Sequence, residues 1–133
     1  VDLMPTILNY CGVEPPEELH GVSIASLIEG DTQPVREGLA GEYHSCSWAE
    51  DPLTPLRMWR TSNYKYIESQ NGIDEFYNLV DDPHEMNNLI DDPHCQEQIE
   101  EMRSALLDWL KKTGDTWPDV PEPPVGFRRT EPL

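Results

Sequence analysis

The sequence predicts an α+β fold, in which about four antiparallel strands are packed by a long C-terminal helix and preceded by short helices. Short segments rich in aromatic and branched residues follow one another between residues 37 and 79, a pattern typical of strands joined by hairpins. An amphipathic helical pattern follows over residues 92–113, and weaker helical patterns precede the strands. Strands and helices that occupy separate parts of a chain are typical of α+β domains.

The N-terminal segment predicts two short helices. Pro5 suits a first helical turn, and apolar positions recur with helical spacing through Cys11 until Gly12. Ser23 can cap a second helix, which Gly30 then ends. Helices of this length are marginal in isolation, so both need a packing partner.

Four strands are predicted in the middle of the chain. Ser62-Asn63 is a two-residue connection of the hairpin type, and Gln70–Gly72 supplies positive-φ residues for the next turn. Consecutive hairpins imply an antiparallel sheet. The predicted strands are Leu39–Tyr43, Leu56–Thr61, Tyr64–Ile67 and Glu75–Leu79.

The longest helix is predicted after the strands. Asp92 can cap it, and Pro93 takes the first helical position. Apolar residues then recur at spacings of three and four as far as Leu110, and Gly114 marks the end of the pattern. Residues 117–133 have five prolines and almost no apolar periodicity, so they are predicted to be a Pro-rich tail that wraps on a surface or stays mobile.

Composition narrows the possible functions. The 133 residues suffice for one domain with a modest core. Lys plus Arg number 9 against 26 Asp plus Glu, and the formal charge of -17 repels phosphate backbones and anionic lipids. We therefore expect neither nucleic acid nor a membrane as a partner. The chain opens at Val1 inside an already patterned segment, which predicts that it is a fragment of a longer protein.

Candidate substrate-binding residues lie around the first two strands. His44 leaves the first strand, and Trp48 offers a flat apolar surface of the kind that stacks on sugars. Arg57 can bind a sulfate or carboxylate bidentately if it and Lys65 point the same way. The alternatives are a surface histidine, a tryptophan at the core edge, and cations that only pair with the surplus carboxylates.

Metal, thiol and catalytic motifs give weaker signals. Asp-Asp-Pro-His occurs at residues 81–84 and 91–94 and contains ligands for a divalent cation, although turn formation and helix entry explain both copies. Cys11, Cys46 and Cys95 lack C-x-x-C spacing, so neither a disulfide framework nor a zinc site is indicated. G-x-S-x-G, P-loop and H-E-x-x-H motifs are absent, and the chain alone is predicted to be catalytically inactive.

Four segments, taken in order, resemble the C-terminal subdomain of a type I sulfatase, a formylglycine-dependent enzyme of the alkaline phosphatase superfamily. The resemblance covers residues 1–112 and departs at His20, since the family often has Asp before the glycine that follows. The segments are Val1–Leu8 with Gly12-Val13, His20–Ser23, Arg60–Ile67, and Glu75–Leu79 followed by Asp82–Glu85 and Asn88-Leu89.

The resemblance implies a parent enzyme that hydrolyses sulfate esters with calcium and a formylglycine made from a C/S-x-P-x-R motif. None of the three cysteines here lies in that motif, so no catalytic residue, metal ligand or cofactor is assigned to this chain. The implied role is that of a subdomain, residues 1–116, packed on an N-terminal catalytic domain with residues 1–30 at the junction. It would help to shape the cleft for a sulfated small molecule or glycan in a periplasmic or extracellular parent.

Two alternatives remain open. The first is the same part of a phosphonate or phosphate ester hydrolase. The second is a free-standing carbohydrate-binding or interaction module that uses Trp48, Trp59 and Tyr64 as stacking surfaces.

Loss of a neighbouring domain would expose an apolar patch around Met4, Ile7 and Leu8. The isolated chain is therefore predicted to self-associate. A clean monomer in light scattering at high concentration would contradict this.

Overall fold

The computed structural model describes residues 1–43, 55–70 and 72–117, and the chain divides into two compact units, Val1–Glu37 and Gly38–Leu133. The predicted α+β class with a four-stranded antiparallel sheet is confirmed. No helix within the described ranges is long and apolar enough to span a membrane. The elements are α1 (Leu3–Tyr10), α2 (Ala25–Ile28), β1 (Leu39–Tyr43), β2 (Leu56–Arg60), β3 (Tyr64–Ser69), β4 (Glu75–Asn78) and α3 (Gln96–Thr113).

The sheet of the second unit is a meander in which each strand pairs with the next, in the order β1-β2-β3-β4. The β2–β3 turn is closed by Thr61, whose backbone N–H donates to the carbonyl of Tyr64 over 2.9 Å and whose Oγ1 accepts from the Tyr64 N–H over 3.0 Å. Directly opposite residues share a face of the sheet. Arg57 therefore shares a face with Glu68, and Trp59 lies on that face opposite Tyr66.

Helix α3 packs on this face and completes the core. Its buried residues recur at spacings of three and four, as its amphipathic pattern predicts. Trp59 of β2 meets Trp109 of α3 with ring centroids 6.2 Å apart, and Tyr64 stacks on Phe76 at 5.5 Å. The core cluster comprises Tyr66, Phe76, Ile99, Met102, Leu106 and Leu110.

Helix α3 begins at Gln96, later than the capping pattern suggests. The Asp92 carboxylate accepts a hydrogen bond from the His94 N–H over 2.8 Å, and the Cys95 N–H donates to the Asp92 carbonyl over 3.1 Å. Asp92 thus stabilises a turn that precedes the helix, because a short acceptor side chain competes effectively for nearby backbone donors. The helix ends at Gly114, whose φ of 69° is the left-handed conformation that favours glycine.

The free edge of β4 is covered by the loop that follows it. The Leu89 N–H donates to the carbonyl of Phe76 over 2.8 Å, while the Asn88 Oδ1 accepts from the Phe76 N–H over 3.0 Å. The same oxygen accepts from the Ile90 N–H over 3.1 Å, and the Asn88 Nδ2 donates to the carbonyl of Asp74 over 3.1 Å. Asn88 therefore satisfies backbone groups that an edge strand would leave unpaired.

The first unit, Val1–Glu37, is tied together by polar groups. The Asp2 carboxylate forms an ion pair with Arg36 and accepts a hydrogen bond from the Val22 N–H over 2.9 Å. Gly21 allows the close approach, since a Cβ there would lie 2.1 Å from the carbonyl oxygen of Val1. This contact explains why glycine suits the position after His20.

Candidate functional site

Of the three predicted substrate-binding residues, only Arg57 lies within the described residues. His44 and Trp48 lie outside them. Arg57 is the second residue of β2, on the face that α3 covers, and its side chain is only 2% exposed. A buried arginine needs a counter-charge, because an unpaired cation is costly to remove from water.

Asp115 and Trp117 provide the surroundings of the Arg57 guanidinium. Asp115 forms an ion pair with its Nη2, and the guanidinium carbon lies 4.0 Å from the centroid of the Trp117 ring. The left-handed turn at Gly114 directs the chain back towards the sheet, and the Asp115 N–H donates to the carbonyl of Leu110 over 3.1 Å. Arg57 thereby anchors the segment that follows α3, and we call these three side chains the Arg57 clasp.

One donor of the Arg57 clasp has no hydrogen-bond acceptor. The Arg57 Nε is buried without a hydrogen-bond partner. Glu68, directly opposite on β3, has its carboxyl pKa raised by burial and by the nearby Asp74, an effect that Arg57 partly opposes. An external anion would have to displace Asp115 and Trp117 to reach the guanidinium.

Lys65 does not join Arg57 in an anion site. It lies opposite Arg60 and so on the other face of the sheet, where its Nζ pairs with the Glu85 carboxylate. Both cations are therefore paired with carboxylates, which is the alternative that the acidic composition suggested. The role of Arg57 in substrate binding stays a prediction.

The two Asp-Asp-Pro-His segments form turns. In the first, backbone N–H groups of Met86 and Asn87 lower the pKa of the Asp82 carboxyl, and Glu85 adopts a φ of 56° as the chain reverses. Asp92 stabilises the second turn, as described above. Within residues 1–43, 55–70 and 72–117, no group of three His, Cys, Asp or Glu side chains converges in a way that could hold a metal ion.

A second polar cluster beside the sheet was not singled out by the sequence. The Tyr66 hydroxyl donates to the Asp74 Oδ2 over 2.8 Å and accepts from the Arg103 Nε over 3.2 Å. Asp74 also accepts from the Ser69 N–H over 3.0 Å, which closes the β3–β4 turn. Alternation along β3 could place Tyr66 on one face of the sheet, but it does not identify Asp74 and Arg103, which are separated from Tyr66 in sequence.

We expect Tyr66 to ionise late. Burial of the ring and the hydrogen bond to Asp74 raise its pKa from 10.0 to about 12, although Arg103 acts in the opposite direction. The folded state then holds this proton more tightly than the unfolded state, so the contribution of Tyr66 to stability is full below about pH 10 and is lost as the pH rises towards 12.

Absorbance titration of tyrosinate tests this expectation. Tyr66→Phe should reduce the late-ionising phase without abolishing it, because burial and the hydrogen bond to Glu75 also raise the pKa of Tyr77 to about 12. The control Tyr43→Phe, which replaces an exposed tyrosine, should leave the late phase intact. A late phase that is unchanged in Tyr66→Phe would show that the prediction is wrong.

Of the three aromatic residues named for the carbohydrate-binding alternative, two lie within the described residues. Trp59 and Tyr64 are only partly exposed and pack against the core cluster. Trp48 lies outside the described residues. Stacking on a sugar by Trp59 or Tyr64 would therefore require these rings to leave their packing partners.

Comparison with known proteins shows which family this chain matches. Residues 1–112 match the family model for N-sulphoglucosamine sulphohydrolase, C-terminal. The N-acetylglucosamine-6-O-sulfatase of Bacteroides thetaiotaomicron is 32% identical over 126 residues, which are 92% of this chain and 23% of that protein. The Delta 4,5-hexuronate-2-O-sulfatase of the same organism is 33% identical over 88% of this chain and 24% of that protein.

Solved structures give the same result. A 2-O GAG sulfatase superposes with a TM-score of 0.76 at 32% identity, over 86% of this chain and 25% of that chain. A second structure, in complex with its substrate D-glucosamine-2-N,6-O-disulfate, has a TM-score of 0.76 at 29% identity, over 91% of this chain and 25% of that chain. The phosphonate monoester hydrolase of Agrobacterium radiobacter, at 20% identity and a TM-score of 0.66, shows a similar fold alone. The chain spans about a quarter of the length of these two curated sulfatases.

Proposed function

This chain belongs to the family of the C-terminal region of N-sulphoglucosamine sulphohydrolase, and from that premise we propose that it is the accessory C-terminal subdomain of an enzyme that hydrolyses sulfate esters of saccharides. The observation that carries the proposal is the match over residues 1–112, which includes the whole first unit and every helix and strand except the last residue of α3. Two relatives are named for sulfated sugars, and a solved relative holds a sulfated glucosamine.

The proposed role of the chain is to support one side of the substrate cleft. His44 directly follows the last residue of β1, and residues 44–55 join β1 to β2. A rigid sheet is a suitable base for a substrate-binding connection. His44 and Trp48 are therefore the proposed direct substrate contacts. Arg57 supports them from within the sheet, and it would bind the substrate itself only if an anion displaced Asp115.

Catalysis itself is assigned to the rest of the parent protein. Calcium and formylglycine are the cofactors that the family implies, but the described residues form no group that fits a metal ion. The sequence also contains no C/S-x-P-x-R motif. We derive no catalytic step from this chain, and we propose that it is inactive without an N-terminal catalytic domain.

Sulfate release tests the proposed activity. The protein that carries this chain is incubated with glucosamine 6-sulfate and, in parallel, with a phosphonate monoester and a phosphate monoester. Release of sulfate from the sugar supports the proposal. Hydrolysis of the phosphorus esters alone would favour the phosphonate or phosphate hydrolase alternative, for which the fold is the supporting observation.

Substitution of His44 and Trp48 tests the cleft-shaping role. His44→Ala and Trp48→Ala are each expected to raise KM for the sulfated sugar about tenfold, the equivalent of a lost contact of about 1.4 kcal/mol. His94→Ala is the matched control, because His94 is exposed in the turn before α3 and should leave KM unchanged. Equal KM values in all three variants would show that the proposed contacts are wrong.

A further inference from the structure

The 44–55 connection, which contains the proposed substrate contacts, extends from one end of the sheet. It leaves β1 after Tyr43 and enters β2 at Leu56, and these two residues pair directly. Leu56 also pairs with the last residue of β3, so the β3–β4 turn begins at the same end. Pro55 is fully buried, and its carbonyl accepts a hydrogen bond from the Gln70 N–H over 3.1 Å. The β2 end of the connection is therefore attached to the β3–β4 turn.

The Arg57 clasp lies at this same end of the sheet. Arg57 follows Pro55 by two residues, so it is next to the point where the 44–55 connection ends. Its partner on β1 is Glu42, which precedes His44 by two residues. The ion pair with the residue after Gly114 thus attaches the segment that follows α3 to β2, directly beside the connection.

Asp115 and Trp117 determine how the Arg57 guanidinium is oriented. The Asp115 carboxylate pairs with one nitrogen, and the Trp117 ring centroid lies 4.0 Å from the guanidinium carbon. The Arg57 Nε is buried without a hydrogen-bond partner, so these two contacts carry a large part of the orientation. Glu68, directly opposite on β3, is a second carboxylate that interacts with Arg57. Without Asp115, the guanidinium would be drawn across the sheet towards Glu68, and the start of β2 would shift with it.

A shift at the start of β2 matters because a binding connection depends on its base. Side chains that contact a substrate need support that holds them to within about 0.5 Å. A misplacement of about 1 Å, even one caused by a distant substitution, can cost on the order of a hundredfold in activity. The residues that fix the β2 end of the 44–55 connection are therefore candidates for a role in substrate binding.

We propose that Asp115 and Trp117 are positioning residues for the sulfated saccharide, and that they act through Arg57 to hold the β2 end of the 44–55 connection in its binding orientation. This inference rests on the proposed function. It gives a role to two residues that lie beyond the 1–112 match to the family. Neither residue is proposed to contact the substrate.

The KM for sulfate release from glucosamine 6-sulfate tests this role in the protein that carries this chain. Asp115→Ala is expected to raise KM about tenfold with little change in kcat, because the substrate contacts move and the catalytic groups do not. Trp117→Leu keeps the ion pair and removes the ring, so KM should rise about threefold. Asp115→Glu retains the carboxylate and should keep KM within about twofold of the native value.

Asn88→Ala is the matched control for lost stability. It removes a buried acceptor at β4, which is at the other edge of the sheet from β1, and it should destabilise the same unit to a comparable extent. Its KM should equal the native value. An equal rise of KM in Asn88→Ala and Asp115→Ala would show that lost stability is the cause, and an unchanged KM in Asp115→Ala would show that the clasp does not position the substrate. Either result overturns the inference.

Hydrogen exchange followed by mass spectrometry provides a measurement that does not depend on activity. Asp115→Ala should speed amide exchange in peptides that span residues 44–55, because their attachment at β2 is loosened. Asn88→Ala should leave exchange in these peptides unchanged. Equal exchange of the 44–55 peptides in the native protein and in Asp115→Ala overturns the inference.

Failure of this inference can be distinguished from failure of the proposed function. If the native protein releases sulfate and Asp115→Ala leaves KM unchanged, the function holds and the positioning role is wrong. If the native protein hydrolyses only phosphorus esters, the proposed function is wrong, and the KM for those esters tests the positioning role in the same way. If it hydrolyses none of the esters, hydrogen exchange alone decides whether the clasp holds the connection.

Discussion

Asp115→Ala is expected to destabilise the second unit by about 3 kcal/mol, because it leaves the Arg57 guanidinium buried without its counter-charge. Arg57 is 2% exposed and cannot turn to water, whereas Asp115 is 24% exposed. The Arg57 Nε is itself buried without a hydrogen-bond partner, so the ion pair with Asp115 carries a large part of the compensation for this buried charge. Urea unfolding followed by tryptophan fluorescence measures the change, and Trp117 reports on the same clasp.

The reverse substitution should be less damaging. Arg57→Met removes the buried charge and leaves Asp115 free to turn to solvent, so we expect a loss of about 1 to 2 kcal/mol. The double variant should be no less stable than Arg57→Met alone, since the two residues act as one unit. Asp108→Ala is the control, because the exposed Asp108–Lys111 pair contributes at most about 0.5 kcal/mol. Equal losses in Asp115→Ala and Asp108→Ala would contradict the clasp.

Asn88→Ala is expected to destabilise the second unit by about 2 to 3 kcal/mol. The variant removes the acceptor for the N–H of Phe76, a fully buried residue, and the cost of an unsatisfied buried donor exceeds that of an ordinary lost hydrogen bond. It also removes the contacts with Ile90 and Asp74 that hold the loop over the edge of β4. The same urea unfolding measures the loss.

Asn87→Ala is the matched control for Asn88→Ala. Asn87 is the neighbouring asparagine, is exposed and lies beside Asp82 in the turn. Its replacement should cost at most about 0.5 kcal/mol, as at most surface positions. A loss at Asn88 no larger than at Asn87 would mean that water or a shifted backbone replaces the Asn88 acceptor.

Asn88 is a residue whose structural role the local sequence pattern did not reveal. The Asn-Leu pair at residues 88 and 89 was part of the family resemblance, but its physical purpose became visible only with the pairing of β4. Asn88 lies 12 residues from Phe76 in the chain, and the contact depends on where the intervening turn places the loop. A motif can therefore be recognised from sequence before its contacts are known.

Strand and helix positions were determined by the sequence itself, because they depend on periodicity and turn chemistry within a few residues. The four strands differ from the predicted bounds by at most two residues, and the alternation along β2 and β3 set which side chains share a face. The start of α3 moved because a side-chain turn at Asp92 competed with capping.

Contacts between distant segments were decided only by the tertiary structure. Arg57 meets a carboxylate 58 residues away, and among 26 acidic residues no local rule selects Asp115. The orientation of α1 is a second example, since its sequence shows an apolar stripe but not which side packs within the first unit. The pattern of a helix determines that it has two sides, and the surrounding chain decides which of them is covered.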